Sequence, residues 1–496
     1  MANELQRGAF VGGRFVPVLR PEGEIDLPSP SDLADHPGPF PWSLDAARAA
    51  VAAARAAQPA WEAAGPEARA EALRRLQKAF ERRAEELARA IAREVGKPLW
   101  EARGEAAALA AKVELTLGAG LDQVRVQRPA GVRGEWRYRP HGVMAVIGPF
   151  NFPAHLPNGH VIPALALGNA VVMKASELTP AVGAVYAACV EEAALPPGVF
   201  NLVQGARTVG ELLSSEAEVD GVLFTGSVAV GSAIARANSA RPGKILALEL
   251  GGKNAAIVCE DADVGQAARD VAYGAFVTAG QRCSSTSRCV VHRSLLDPFL
   301  TKLSALARGI RVGHWEDPEV FSGPLVSAGA LERFLLALRS APGEGAEPIV
   351  APELAETARA GHYLRPSIHL VRRRLVESRY QRDELFGPDV AIYPVESDDE
   401  ALAVANDSRY GLCASVFTKS HERFERIAAR LRAGIVNENQ PTVGAAGRLP
   451  FGGVGDSGNQ RPAGILASLY CAWPQAVSYG EAGSAVKPVP GFPAAG

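Results

Sequence analysis

The chain predicts an α/β fold of two lobes, each built on a parallel sheet covered by helices, with a small bridging β element beside them. Three observations predict it. At 496 residues it is too long for one small core. At 47% hydrophobic and 21% charged it has the composition of an ordinary globular protein. Short runs rich in Val, Ile and Leu alternate with stretches long enough for a helix each, the pattern of strands buried on both faces.

Residues 43–122 read as helix. Ser43 can cap the first, and "LDAARAAVAAARAAQPAWEAA" is rich in strong helix formers. A second helix over about 66–95 repeats Leu73, Leu76, Phe80, Leu87 and Ile91 at helical spacing, until Gly96 and Pro98 stop it. The Arg and Glu residues of these helices are expected to form a solvated face without a function. "VRVQRPAGVRGEWRYRP" (124–140) alternates and carries Gly131 and Gly134, so it reads as a hairpin.

From residue 142 the texture changes. "VMAVIG" (143–148), "AVVMK" (170–174), "GVFNLV" (198–203), "GVLFTG" (221–226) and "KILALEL" (244–250) are the strands of the first sheet. "AAIVCE" (255–260), "RCVVH" (288–292), "DVAIYPV" (389–395), "ASVFT" (414–418) and "GIVNEN" (434–439) are those of the second. Ligands of such sheets bind at the carboxyl ends of the strands. The tail 483–496, rich in Pro, Gly and Ala, is expected to be flexible.

Lys plus Arg is 52 and Asp plus Glu is 54, a net charge of −2 that gives no reason to expect nucleic acid or an anionic membrane as partner. Six scattered cysteines without a Cys-x-x-Cys pair argue against a disulfide framework or a metal site. The N-terminus has no secretory pattern, and no run of about 18 apolar residues appears. A soluble, reduced, cytoplasmic protein is expected.

Several polar residues stand at strand ends. Cys283, in "FVTAGQRCSSTSR", precedes a strand and is either a nucleophile or a small buried residue. Glu249 finishes an apolar strand, where a carboxylate is costly without a partner; it is either bonded to backbone N–H groups or a base with a raised pKa. Asn151 in "GPFNFP" is equally a turn residue. Lys174 and Glu177 could grip ribose hydroxyls, and a carboxylate there would repel a 2′-phosphate. Gly226-Ser227-Val228-Ala229-Val230-Gly231 can bring backbone N–H groups to phosphate, but Ser232-Ala233 follows where a nucleotide-triphosphate loop needs Lys-Ser or Lys-Thr.

Taken in order, "GPFNFP", "KASELTP", "FTGSVAVG", "LELGGKN", "GQRC", "DELFGP" and "PFGGVGDSG" resemble the aldehyde dehydrogenase superfamily, from about residue 40 to about 475. "NFPAHLPNGHVIPALALGN", "NENQPTVGAAGRLPFGGVGDSGNQRPA" and "YCAWP" are similar to its N-succinylglutamate 5-semialdehyde dehydrogenase subfamily, which serves arginine catabolism. The resemblance implies a Rossmann-like NAD-binding lobe (1–123 and 141–250), a catalytic lobe (251–438) and an oligomerisation element (124–140 and 465–482) that makes a homodimer or homotetramer. It implies Cys283 as nucleophile, Glu249 as base, and Asn151 with the Cys283 N–H as oxyanion donors. It assigns Lys174 and Glu177 to the adenine ribose of NAD. Gly226, Ser227 and Gly231 go to the diphosphate, and Glu384 and Phe386 to the nicotinamide side. Ala175 departs from the proline the family often has after the lysine. His155, His160, Arg282 and Arg448 are the candidates to hold the carboxylates of a small anionic aldehyde; no metal is implied. The rival expectations are a broad or different semialdehyde dehydrogenase, a cofactor-independent thiol esterase, and a non-catalytic protein on the same scaffold.

Overall fold

In the computed structural model, residues 8–482 and 489–491 are described; most of the tail expected to be flexible lies outside them. Four helices open the fold: α1 (Leu44–Ala63), α2 (Gly65–Arg82), α3 (Ala84–Val95) and α4 (Leu99–Leu115). Ser43 caps α1 by accepting the Ala46 N–H at 3.1 Å. The single helix expected over 66–95 breaks at Arg83, whose backbone leaves the helical region (φ −98°, ψ 13°) while its side chain binds Glu192 at 2.7 Å and Glu86 at 2.8 Å. Gly96 ends α3 in the left-handed region at φ 81°, and a Cβ there would lie 2.5 Å from Pro324. No helix of the described residues is long and apolar enough to cross a membrane.

Two seven-stranded sheets follow. Across the first, the strands run Ile245–Glu249, Gly221–Thr225, Val143–Ile147, Ala170–Lys174, Phe200–Val203, Ala9–Val11 and Arg14–Val16. The first five are parallel, and the last two form an antiparallel edge hairpin absent from the sequence reading. The second runs Ala346–Val350, Ser367–Val371, Asp389–Val395, Thr286–His292, Asn254–Val258, Cys413–Phe417 and Ile435–Glu438. It is parallel except at its Ala346–Val350 edge.

The period-two alternation of strand side chains divides each sheet between two cores. Met144, Val146, Val171 and Met173 face one layer of helices, while Val143, Ala145, Ala170 and Val172 face α1. In the second sheet Ala255 and Ile257 point one way, and Ala256 and Val258 the other.

Residues 124–140 are not the hairpin expected of them. A single backbone bridge, Gln127–Trp136, and the Arg128–Glu135 ion pair at 2.8 Å join their halves, and Pro129 offers no N–H to extend the pairing. Gly134–Pro140 pairs instead with Ala472–Ser478 in a two-stranded ribbon, which leaves Trp136 and Trp473 about two-fifths exposed at 39% and 42%.

The chain builds the first sheet outward from Val143–Ile147 in one direction, then returns to add Gly221–Thr225 on its other side. Such a reversal opens a crevice beyond the carboxyl ends of the two flanking strands. Gly148 to Asn151 and Gly226 to Ser227 leave those ends, so the sheet order directs attention there.

Candidate active site

The Cys283 loop is held from all sides. Helix Val264–Phe276 ends before it, and Thr278, Ala279 and Gly280 then take left-handed backbone at φ 57°, 51° and 68°. Gly280 has no alternative, since a Cβ would lie 2.1 Å from the Gly387 carbonyl. The Gln281 side chain donates to the carbonyls of Thr278 and Pro324, each at 3.2 Å, and accepts the Val326 N–H at 2.9 Å. Behind the cysteine, Asn254 donates to the carbonyls of Cys283 (2.7 Å) and Ser285 (2.9 Å) and accepts the Cys413 N–H at 2.9 Å.

Cys283 is the one partly exposed cysteine, and the other five are buried. Burial pushes its thiol up to about 12, the charges of Glu384 and Glu249 push the same way, and Arg282 opposes them. At rest it is a protonated thiol that needs a base.

Glu249 supplies one. It ends its strand only 5% exposed, its carboxyl is raised well above the usual range by burial, and the Ala463 N–H opposes that shift. Its Oε2 has no hydrogen-bond partner. A buried carboxyl left with an open acceptor is fitted to take a proton from a water or a thiol. Asn151, 4% exposed, donates through Nδ2 to the Gln281 carbonyl at 2.9 Å. An amide has two N–H groups, so this bond fixes the side chain against the Cys283 loop and leaves the second donor available.

Glu384 accepts the Gly252 N–H at 2.9 Å, and burial pushes its carboxyl up to about 7. Phe386 takes left-handed backbone at φ 60° and meets the Phe150 ring edge-on, with centroids 5.8 Å apart. At the next strand end the buried Lys174 donates to the Ala175 carbonyl at 2.8 Å and to Glu177 at 3.4 Å. Glu177 is half exposed, a carboxylate held in place and open to a ligand's hydroxyls. Ser227 caps α6 (Val228–Ala237) by accepting the Val230 N–H at 3.4 Å. A Cβ on Gly226 would lie 2.4 Å from the Phe224 ring, and one on Gly231 2.5 Å from Leu250. Those glycines are therefore needed for packing, and the helix N-terminus they shape has the polarity for a diphosphate. A fixed carboxylate for ribose, a helix N-terminus for phosphate and Glu384 beside the Cys283 loop together fit a nicotinamide dinucleotide.

The four residues expected to hold substrate carboxylates part company. His160 is buried between the Tyr470 hydroxyl (2.8 Å) and Thr225 (3.3 Å), and burial lowers it to about 3, so it is neutral and offers no cation. The Arg282 guanidinium is already engaged, by Glu101 at 2.9 Å and the Thr278 hydroxyl at 2.6 Å. His155 is lowered by burial, with its Nδ1 unpartnered. Arg448 is exposed on the 444–449 loop and has no hydrogen bond or ion pair among the described residues.

The solvated face expected of the opening helices is the clearest correction. Glu94, Lys97, Glu101, Glu105 and Lys112 are all buried. Glu101 accepts from both Thr278 and Arg282. Lys97 binds Glu105 at 2.7 Å and lies 3.5 Å from the centroid of the Phe152 ring, whose surroundings also hold Arg282 at 4.9 Å. Glu105 accepts the N–H groups of Ala154 and His155 at 3.0 and 3.1 Å, where α5 (His155–Ala166) begins. The only sequence signal was the spacing Lys97, Glu101, Glu105, one helical turn apart, which a surface ladder of charges shares.

Residues 43–472 match the model of the aldehyde dehydrogenase family. Among curated proteins, the N-succinylglutamate 5-semialdehyde dehydrogenase of Cronobacter sakazakii is 44% identical over 388 residues, 76% of this chain and 77% of that protein. The Escherichia coli protein of the same name is 41% identical over the same shares. Among solved structures, a mutant of aldehyde dehydrogenase C from Pseudomonas syringae in complex with NAD+ and octanal superposes with a TM-score of 0.90 at 31% identity, covering 95% of this chain and 96% of that one. A 1-pyrroline-5-carboxylate dehydrogenase from Thermus with bound NAD gives 0.89 at 30% identity, covering 95% and 92%.

Proposed function

This chain belongs to the aldehyde dehydrogenase family and is an oxidoreductase acting on aldehydes; from that premise we propose that it oxidises N-succinylglutamate 5-semialdehyde to N-succinylglutamate with NAD, in the cytoplasm, as a step of arginine degradation. One observation carries the chemistry: the partly exposed cysteine shares its surroundings with a buried carboxyl that has an open acceptor, and with an amide fixed to its own loop. The substrate rests on the relatives that bear its name.

The Cys283 proton passes to Glu249, directly or through a water, and the thiolate adds to the aldehyde carbon. The aldehyde oxygen becomes an alkoxide, stabilised by the free N–H of Asn151 and the backbone N–H of Cys283. A neutral amide suits that role because it stabilises the charge without surrendering a proton. NAD, when bound, accepts the hydride that the thiohemiacetal carbon loses. Cys283 then carries a thioester. Glu249 gives up the Cys283 proton to solvent and then takes a proton from water; the hydroxide attacks the acyl carbon, and the C–S bond breaks to release the acid and the thiolate. Lys174 and Glu177 hold the adenine ribose, Gly226, Ser227 and Gly231 the diphosphate, and Glu384 and Phe386 the nicotinamide side.

The substrate carries two carboxylates besides the aldehyde. Arg448 is the candidate that keeps an uncommitted cation, and His155 keeps an unpartnered ring nitrogen. The exposed tryptophans of the ribbon support a homodimer or homotetramer paired through it. A monomer by light scattering at micromolar concentration would remove that part.

The test is kcat/KM with NAD and with NADP for N-succinylglutamate semialdehyde, glutamate semialdehyde, succinate semialdehyde and butanal. A preference of about 10²-fold or more for the succinylated compound, roughly 3 kcal/mol, is expected. Equal values across the panel would leave a broad aldehyde dehydrogenase, and turnover of esters without any NADH would leave a thiol esterase.

A further inference from the structure

The inner face of α4 carries one charge that the protein leaves uncompensated. Lys112 follows Glu105 by seven residues, two helical turns, so both project from the same side. Lys112 is only 8% exposed, and its ammonium has one protein partner, the neutral carbonyl of Gly464 at 2.9 Å. The other buried lysines differ. Lys97 binds Glu105 and Lys174 binds Glu177, while Lys253, which also donates to a carbonyl, that of Tyr380 at 2.8 Å, has the charges of Asp389, Glu384 and Asp383 to set against that of Arg288. Among the described residues no carboxylate serves Lys112, and burial pushes it down to about 8. A buried ammonium without a counter-ion is costly, and a carboxylate placed beside it would offset that cost.

Its position is equally specific. Gly464 comes two residues after Pro462, and a Cβ on Gly452 would lie 2.9 Å from Pro462 and 3.0 Å from Glu249 Oε1. Lys112 and the candidate base thus meet the chain at the two ends of one short segment that contains the strand Ala463–Gly464. Its partner strand is Pro450–Phe451, the continuation of the loop that carries Arg448. That loop closes on α4 one turn beyond Lys112, where a Cβ on Gly447 would lie 3.3 Å from Leu115. On the facing helix α5, His155 presents a buried Nδ1 with no partner, and the Lys112 charge reaches both His155 and His160.

We propose that Lys112 is an anion anchor of the aldehyde site, its ammonium receiving a carboxylate of the substrate with the His155 ring as a neighbouring donor. The ligand class is an aldehyde that bears a carboxylate several bonds from its reacting carbon. Arg448, on the loop above, is placed for a second carboxylate. This inference rests on the anionic-substrate reading above and adds the residue that enforces it.

The experiment measures kcat/KM for N-succinylglutamate semialdehyde and for butanal, with NAD, in the wild type, Lys112→Met and Lys112→Arg. The readout is the ratio of the two values, which cancels a general loss of active enzyme. Lys112→Met is expected to lower that ratio about 10²-fold, chiefly through KM for the anionic aldehyde, and Lys112→Arg to restore most of it. Should the Met variant fail to fold, Lys112→Gln is measured in its place. A ratio within threefold of the wild type in the neutral variant, or an equal loss on both aldehydes, overturns the anchor while the substrate reading stands. A wild type with no preference for the anionic aldehyde overturns both.

Discussion

Replacing Glu101 with Gln tests whether the opening helices position the nucleophile. Glu101 Oε1 accepts from the Thr278 hydroxyl and from Arg282 at 2.9 Å, with the Glu101 side chain 4% and the Arg282 side chain 13% exposed. Both bonds are charge-assisted, and a neutral acceptor makes each about half as strong, a loss of about 2 kcal/mol for the pair. The new amide N–H₂ replaces an oxygen that has no partner, which adds a buried unsatisfied donor at about 1 kcal/mol. The total of about 3 kcal/mol sits at the lower end of what breaking a buried ion pair costs. It is also comparable to the strain of two non-glycine residues in left-handed backbone, of order 1–3 kcal/mol each, and Thr278 and Ala279 are two such residues. Without the carboxylate the loop relaxes, and kcat should fall about 10- to 100-fold. Alkylation by iodoacetamide should move the other way. Burial is the first cause of the raised Cys283 pKa, so a loosened loop exposes the thiol and speeds its reaction several-fold. That signal belongs to Cys283, since the other cysteines are at most 3% exposed. A variant with kcat within threefold of the wild type and an unchanged alkylation rate would refute the positioning role.

Other perturbations separate the remaining roles. Asn151→Ala should lower kcat about 10²- to 10³-fold, the usual loss of one oxyanion donor, with KM little changed in steady-state assays. Glu249→Gln should slow the first turnover in a stopped-flow NADH assay and stop steady-state turnover as well, because the same carboxylate takes the Cys283 proton and later activates water. In the wild type kcat should fall as pH drops through the raised pKa of Glu249, since only the carboxylate accepts a proton, and the variant should lack that limb. His160, lowered to about 3, binds no proton in the fold while the unfolded chain binds one below about 6.5. Its contribution is therefore complete above pH 6.5 and lost as pH falls toward 3. Between pH 6.5 and 5 the loss is about 2 kcal/mol, and His160→Gln should narrow the difference in urea midpoint between pH 7 and pH 5.

Ten of the strands are legible as apolar runs to within two residues, because most of those segments are buried on both faces and no alternation dilutes them; Ile435–Glu438, at a sheet edge, is only partly buried. The missed ones each carry a local contradiction. Ala346–Val350 holds an exposed Glu347 and Pro348 at a sheet edge. Ser367–Val371 carries a buried His369, which its sequence does not explain and its bond to Asp389 at 2.7 Å does. Ala9–Val11 and Arg14–Val16 are separated only by Gly12 and Gly13. At the candidate site, Cys283, Glu249, Asn151 and Lys174 stand at the ends of apolar runs, where a polar residue is conspicuous. Glu101, Glu105 and Lys112 lie within a helix full of charges, and only tertiary contact distinguishes a buried partner from a solvated one. Sequence suggests a charge at both His160 and Arg282, whereas burial removes the first and Glu101 already satisfies the second.

Acid trapping during turnover shows whether Cys283 carries the acyl group. The enzyme is quenched in acid during turnover of N-succinylglutamate semialdehyde with NAD, and its peptides are weighed. An N-succinylglutamyl adduct is expected on the peptide containing Cys283, present only when NAD is added and absent from Cys283→Ser. NADH formation by Cys283→Ser at the wild-type rate, or an adduct on any other residue, would contradict that role of Cys283.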